Sequence, residues 1–204
     1  MNQDFKIMNF FSRISDFLLL NFLFIITSLP IVTLGASITA LYSVNLKMVR
    51  NEESYVIRDY FQAFKRNFKL ATLAFLFFLL IGTLMGANIW ISFQAQGSFY
   101  LILRALSTIF LCSLLICAKY FFPILARFKF TFKQVWIHIP HMILTHAGLF
   151  LFILLLNIPV VILITYSIYT SFFVLLIGCI IGFALFTYIE ASLFRKIFKN
   201  YELS

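Results

Sequence analysis

The sequence predicts an all-α membrane protein with about six transmembrane helices as three hairpins, plus two amphipathic helices on the cytoplasmic side. Of its 204 residues, 63% are hydrophobic and 11% are charged, and the mean hydropathy of +1.02 is far above that of soluble domains. Most charged residues gather in short segments between long apolar stretches. A helix needs about 20 apolar residues to cross a bilayer. We therefore expect one membrane domain, residues 1–204, in contact with lipid.

The opening hairpin comprises predicted spans at 13–29 and 30–46, and residues 17–46 carry no charge. Pro30 lacks an amide N–H and should end the first arm. Gly35 would give the backbone the freedom that a tight reversal needs. The sequence leaves open whether this hairpin crosses the bilayer fully or re-enters the same face. In the first arm, Arg13 and Asp16 are three residues apart and can pair on one helix face.

The first cytoplasmic segment, 47–69, has six basic and three acidic residues. Its aromatic residues recur at helical spacing, with charged residues on the other face, so we expect an amphipathic helix over 55–68. Such a helix lies in the headgroup plane or docks on a partner. The partner-docking candidates, with one residue from the second amphipathic helix, are Arg58, Tyr60, Phe61, Phe64, Lys65, Arg66 and Trp136.

The second hairpin has predicted spans at 70–93 and 99–122, followed by a basic cytoplasmic segment at 123–142. Trp90 suits the aromatic belt at the outer interface. Arg104 and Lys119 are each near a span end and can snorkel to headgroups. Thr131 and Gln134 match a capping box that starts the second amphipathic helix, which we expect to end before Pro140.

The third hairpin has predicted spans at 143–165 and 172–194, and the tail 195–204 is basic. Pro159 should kink the first of these spans. Glu190 can pair with Arg195 only if the helix ends between them. All three outer links lack charged residues, so the positive-inside rule places both termini in the cytoplasm.

Polar side chains inside lipid are candidate functional residues because their burial costs free energy. Asparagines can simply cross-link helices by hydrogen bonds. Alternatively, they line a substrate path. Pro30, Gly35 and Pro159 would break helices near such a path, as transporter sites often require. The intramembrane candidates are Asp16, Asn21, Asn45, Asn88, Asn157 and Glu190.

Several classes of function are disfavoured by the sequence. It has no glycine-rich phosphate loop, no GxSxG and no close pair of carboxylates in a span, so we predict no enzyme and no cofactor. The basic residues flank the membrane, which argues against nucleic acid as a partner. Three histidines lack metal-site spacing and are interpreted as interfacial: His138, His141 and His146. Three cysteines lack CxxC spacing and are expected to be buried thiols: Cys112, Cys117 and Cys179.

Five motifs carry a resemblance to a known family. They are DFLLLN at 16–21, SLPIVTLGASITALY at 28–42, KMVR at 47–50, RDYFQAFKRNFK at 58–69 and, more loosely, FPILARF at 122–128. With these motifs the chain resembles the YesL-like family of bacterial integral membrane proteins. The resemblance implies a multi-span protein of the bacterial cell membrane, often found with sugar ABC transporters and polysaccharide-degradation systems. It implies no established molecular activity.

Two functions of different classes follow from these observations. In the first, the chain is a non-catalytic accessory subunit that offers its amphipathic helices to a carbohydrate ABC transporter or sensor. In the second, it is a small membrane transporter with a polar path among the four intramembrane asparagines. The sparse polarity of the spans favours the first. The sequence leaves the oligomeric state open.

Overall fold

The computed structural model describes residues 2–53, 55–95, 97–128 and 130–202, nearly all of which are helical. The described part of the chain contains six helical segments that are long and apolar enough to cross a membrane, which confirms the all-α class and a multi-span protein. In chain order the helices are α1 (Asn2–Ser28), α2 (Leu34–Val49), α3 (Val56–Gln94), α4 (Ser98–Arg127), α5 (Phe132–Thr145), α6 (Ala147–Tyr166), α7 (Ile168–Ile177) and α8 (Phe183–Glu202).

The chain reverses between α1 and α2 at Pro30, as predicted, through a single 3-10 turn, Ile31–Thr33. Thr33 closes this tip: its Oγ1 donates to the carbonyl of Thr27 at 2.5 Å and to that of Pro30 at 2.7 Å. The bond to Thr27 satisfies one of the carbonyl groups that the end of α1 leaves without a helical partner. The side chains at the tip are apolar and exposed: Leu29, Ile31 and Val32.

Gly35 lies inside α2 and not in the reversal, so the role predicted for it is wrong. A Cβ atom at Gly35 would lie 2.3 Å from the carbonyl oxygen of Ala71 and 2.7 Å from Cβ of Phe75. Glycine is needed because the backbone of α2 touches the backbone of α3 here, a close approach that small residues allow in membrane helix pairs. The contact also places the tip of the first hairpin beside the middle of α3. Residues 72–94 extend beyond it for about 35 Å, at about 1.5 Å per residue.

The amphipathic segment at 55–68 is not a separate helix, because α3 runs unbroken from Val56 to Gln94. Its buried face also differs from the predicted one. Residues at spacings of four and three, Val56, Tyr60, Ala63 and Asn67, are buried against the first hairpin. The hydroxyls of Tyr60 and Thr27 lie 2.5 Å apart. The predicted aromatic face is therefore divided between the core and the surface.

The predicted capping box starts α5, where Thr131 N–H donates to Oε1 of Gln134 at 2.8 Å. However, α5 does not end before Pro140 but continues to Thr145. Proline removes one backbone hydrogen bond from the helix. Tertiary packing compensates, because Ile139 and Met142 on either side of Pro140 are both buried.

The last part of the chain is one helical run in which a π-helical turn, Gly178–Gly182, joins α7 to α8. This run continues through the basic tail as far as Glu202. Glu190 and Arg195 therefore lie on a continuous helix, and the condition for their pairing is not met. Arg195 instead donates to the backbone carbonyl of Val49 at the end of α2.

A candidate polar site between the helices

The carboxylate of Glu190 is the centre of a polar cluster inside the bundle. Glu190 is 0% exposed. Nζ of Lys119 lies 2.7 Å from Oε1 of Glu190 and 2.9 Å from Oε2. Tyr42 Oη donates to Oε2, and Nδ2 of Asn157 donates to Oε1 at 3.2 Å. One carboxylate thus joins α2, α4 and α6 to α8.

Lys119 does not snorkel to headgroups, contrary to the prediction. Its ammonium points to Glu190, donates to Oδ1 of Asn157 at 3.2 Å and lies 5.5 Å from the ring centroid of Phe186. At the headgroups the ammonium of Lys119 would be hydrated by water, and here the carboxylate of Glu190 takes the place of that hydration. A buried charge without a partner would be far more unfavourable. The ion pair therefore holds α4 and α8 at a fixed register.

A cleft of about 420 Å³ opens beside this ion pair. The side chain of Lys119 is 26% exposed and borders the cleft, whereas the side chain of Glu190 is fully buried behind it. The other walls are almost entirely apolar and come from α1, α2, α4 and α8. They include Phe24, Ile38, Leu41, Leu115, Phe122 and Phe183.

Asn21 holds the π-helical turn. Its Nδ2 donates to the carbonyls of Gly178 at 3.0 Å and Cys179 at 2.7 Å, and its Oδ1 accepts from the N–H of Ala184 at 3.0 Å. A π turn leaves backbone groups without their usual helical partners, and where these groups are buried away from water they must be satisfied by protein. Asn21 supplies both donor and acceptor from α1, so it cross-links α1 to the α7–α8 run.

Asn45 makes a second cross-link to the same region. Its Nδ2 donates to the carbonyl of Ala184 at 3.1 Å and to Oγ1 of Thr187 at 2.6 Å. Asn21 and Asn45 therefore meet at Ala184, while Asn157 belongs to the Glu190 cluster. Asn88 lies apart from both groups and bonds within α3, where it accepts from Ser92.

Asp16 is half-buried near the start of the apolar part of α1. Arg13, its predicted partner, donates to Oδ1 of Asn51 at 3.1 Å and to the hydroxyl of Tyr188 at 3.5 Å. Arg13 thus ties α1 to the turn after α2 and to α8.

The partner-docking candidates fall into two groups. Tyr60 is fully buried because its ring packs against the first hairpin. It therefore belongs to the core and cannot contact a partner. Phe64 is half-buried, and the half-buried ring of Trp136 packs on those of Phe77, Phe78 and Phe121. Four candidates remain exposed on α3: Arg58, Phe61, Lys65 and Arg66.

The histidines and cysteines play no part in the polar cluster. His138 stacks on Phe130, with ring centroids 4.7 Å apart, and the rings of His141 and His146 lie beside Tyr201. Among the described residues no three metal-ligating side chains come together. The expectation of buried thiols is wrong for two cysteines, since Cys112 and Cys179 are exposed on helices that face lipid.

Lys119 and Tyr42 are members of the site that were not predicted from the sequence. One signal could have found Lys119. Lys119 and Glu190 are each the single Lys, Arg, Asp or Glu within an apolar stretch, and each stands near the basic end of its helix. Opposite charges at similar depth in lipid are expected to pair. Tyr42 carries no such signal, because a tyrosine hydroxyl in a helix can equally reach a backbone carbonyl.

Residues 17–89 match the family described as "Protein of unknown function, DUF624". The match includes Asn21, Tyr42 and Asn45 and most of α3, but it ends before Lys119, Asn157 and Glu190. Neither the curated proteins nor the solved structures contain a match to this chain.

Proposed function

We propose that this chain is a non-catalytic membrane subunit that docks on a component of a carbohydrate ABC transporter or sensor. The docking surface is the exposed face of the first part of α3, and its residues are Ile57, Arg58, Phe61, Lys65 and Phe68. In this proposal the chain resides in the bacterial cell membrane with both termini in the cytoplasm. The docking surface then lies on the cytoplasmic side.

The observation that carries the proposal is the composition of this exposed face. Ile57 is 52% exposed, Phe61 39% and Phe68 41%. Arg58 and Lys65 are exposed beside them. A row of apolar residues next to cations on one helix is typical of a surface that recognises an acidic, partly apolar partner.

The continuity of α3 favours a protein partner over the headgroup plane. An independent amphipathic helix can turn to lie flat on the bilayer. The segment from Val56 to Lys69 cannot turn by itself, because it shares one unbroken helix with the apolar residues up to Gln94. Tyr60 also fixes its rotation by anchoring the opposite face to Thr27. The docking surface therefore has a fixed orientation, as a specific interface requires.

The carbohydrate context rests on the family resemblance alone. The resemblance indicates which kind of partner to look for, whereas the docking surface is argued from the structure alone.

Affinity purification of the full chain from its native membranes tests the proposal. We expect a component of a carbohydrate transporter or sensor to co-purify with the wild type and to be lost from Phe61→Asp/Lys65→Glu. The control, Lys133→Glu/Lys196→Glu, changes exposed cations outside the docking surface and should retain the partner. Recovery of no such component with the wild type, or equal recovery with both variants, would contradict the proposal.

A second candidate function, transport of a small solute, is favoured by the polar cluster. An ion pair with an amide, inside a bundle and beside a cleft, is the kind of feature that marks solute and ion paths. Proteoliposome uptake distinguishes the two functions. A transporter should move solute without any partner and lose this activity in Glu190→Gln, whereas a docking subunit should show no uptake of its own.

A further inference from the structure

A small cavity of about 80 Å³ lies at the basic end of the bundle, between the ends of α2 and α4 and the side of α3. Four of its lining residues are cations: Lys47, Arg50, Arg66 and Arg127. The remaining lining residues are Ser43, Leu46 and Ala126. The cavity shares no lining residue with the Glu190 cluster or with the docking surface.

Two carboxylates offset part of this positive charge. Nζ of Lys47 lies 2.9 Å from Oδ1 of Asp59. Arg50 binds Glu52 through Nε at 2.5 Å and through its terminal nitrogen at 2.9 Å. Because Arg50 hydrogen-bonds to it, the pKa of the Glu52 carboxyl is held below its ordinary value and the pair stays ionised. The two carboxylates thus pair with Lys47 and Arg50, two of the four cations that line the cavity.

Interaction with the helix dipole explains the position of only some of these cations. Lys47 is in the last turn of α2 and Arg127 in the last turn of α4, where positive charge suits the negative end of the helix dipole. Arg66, in contrast, stands well inside α3 and has no helix end to complement. Its presence at the same cavity adds repulsion that an anion would relieve.

We infer that this cavity binds a phosphate group. Guanidinium groups match phosphate oxygens in pairs, and two arginines, Arg66 and Arg127, approach the cavity from different helices. Its volume is a few times that of a water molecule, at about 30 Å³ each, which suits one tetrahedral oxyanion. The phosphate can be the headgroup of an anionic phospholipid, since the cavity is at the basic end of the spans. It can also be inorganic phosphate or a soluble phosphorylated compound.

Thermal unfolding of the full chain in a neutral detergent tests the inference and distinguishes the two sources. Three additives are titrated at constant ionic strength: inorganic phosphate, dioctanoyl phosphatidic acid and uncharged dioctanoylglycerol. We expect a saturable rise in Tm with a phosphate-bearing additive and none with dioctanoylglycerol. A rise with inorganic phosphate identifies a soluble ligand. A rise with phosphatidic acid alone identifies a lipid headgroup.

The variants connect the response to the cavity. Arg66→Gln should weaken the apparent affinity about tenfold, as expected for the loss of one charged hydrogen-bonding group, and Arg66→Gln/Arg127→Gln should weaken it further. Arg66 is exposed, so Arg66→Gln should keep the helical circular dichroism of the wild type. The control Lys133→Gln/Lys196→Gln removes two positive charges, as the double cavity variant does, but should shift the affinity less than about twofold. An equal loss in control and cavity variants, or no saturable rise with either phosphate-bearing additive, would overturn the inference.

Discussion

Lys119 in α4 and Glu190 in α8 form an ion pair inside the helix bundle, with Nζ 2.7 Å from Oε1. The pair joins two helices that are far apart in sequence, and Tyr42 and Asn157 complete the coordination of the carboxylate. Such a pair specifies which helices meet and at what register. Its contribution to stability depends on both partners being present.

Neutralising one partner of this pair should therefore be more harmful than neutralising both. We expect Lys119→Met alone to lower the free energy of unfolding by about 3–5 kcal/mol, because the fully buried carboxylate of Glu190 is left without its partner. Glu190→Gln alone should lower it by less, because Lys119 is partly exposed. The double variant should lose much less than the sum. Equilibrium unfolding in mixed micelles measures the coupling.

Arg104→Met is the control for this double-mutant cycle. Arg104 is also a cation in an apolar helix, but its guanidinium lies over the ring of Phe93, 4.5 Å from the centroid. Its loss should change the unfolding free energy by about 1 kcal/mol or less. Additive effects of Lys119→Met and Glu190→Gln would show that the two charges act independently.

Asn21 should be necessary for the π-helical turn. Asn21→Leu leaves the carbonyls of Gly178 and Cys179 and the N–H of Ala184 without this partner in an apolar environment. We expect a destabilisation of about 1–3 kcal/mol. Asn88→Leu removes only a bond within α3 and should have the smaller effect. Equal unfolding midpoints for the two variants would exclude the role given to Asn21.

The contact of Gly35 with α3 should make it intolerant of a single methyl group. Gly35→Ala places Cβ against the carbonyl of Ala71 and should destabilise the protein by about 1–3 kcal/mol, since neither backbone can move freely. A Cβ at Gly86, in the same kind of helix, meets no atom within 4 Å. Gly86→Ala should be neutral or stabilising by up to about 1 kcal/mol, because alanine favours helix. Thermal unfolding of both variants compares them directly.

In the proposed topology, with both termini in the cytoplasm, the tip of the first hairpin should be inaccessible from outside the cell. It lies beside Ala71, and the part of α3 beyond it is about as long as the hydrocarbon core is thick. In a chain without native cysteines, we expect Ser98→Cys to react with an impermeant maleimide added outside and Val32→Cys to remain unlabelled. Equal labelling would show that the hairpin crosses the bilayer fully.

The sequence was sufficient for features set by local physics. Apolar length gave the candidate spans, Pro30 marked the end of α1, and Thr131 with Gln134 marked the start of α5. Features set by contacts between distant helices could not be read from it. The need for glycine at position 35 comes from Ala71, and the buried face of α3 is determined by the first hairpin.

The candidate site was only partly foreseen for the same reason. Glu190, Asn157, Asn21 and Asn45 stood out because each is polar in an apolar stretch. The packing of α8 against α1 and α2 determines which of these four residues meet. The π turn that Asn21 holds has no local sequence signal stronger than its two glycines, Gly178 and Gly182.

Photo-crosslinking in living cells tests the proposed docking most directly. A photoreactive residue at Phe61, on the docking surface, should capture a component of a carbohydrate transporter or sensor. The same residue at Trp90, which is 69% exposed at the other end of α3, should not. Capture of only lipid at Phe61, or of the same protein from both positions, would contradict the account.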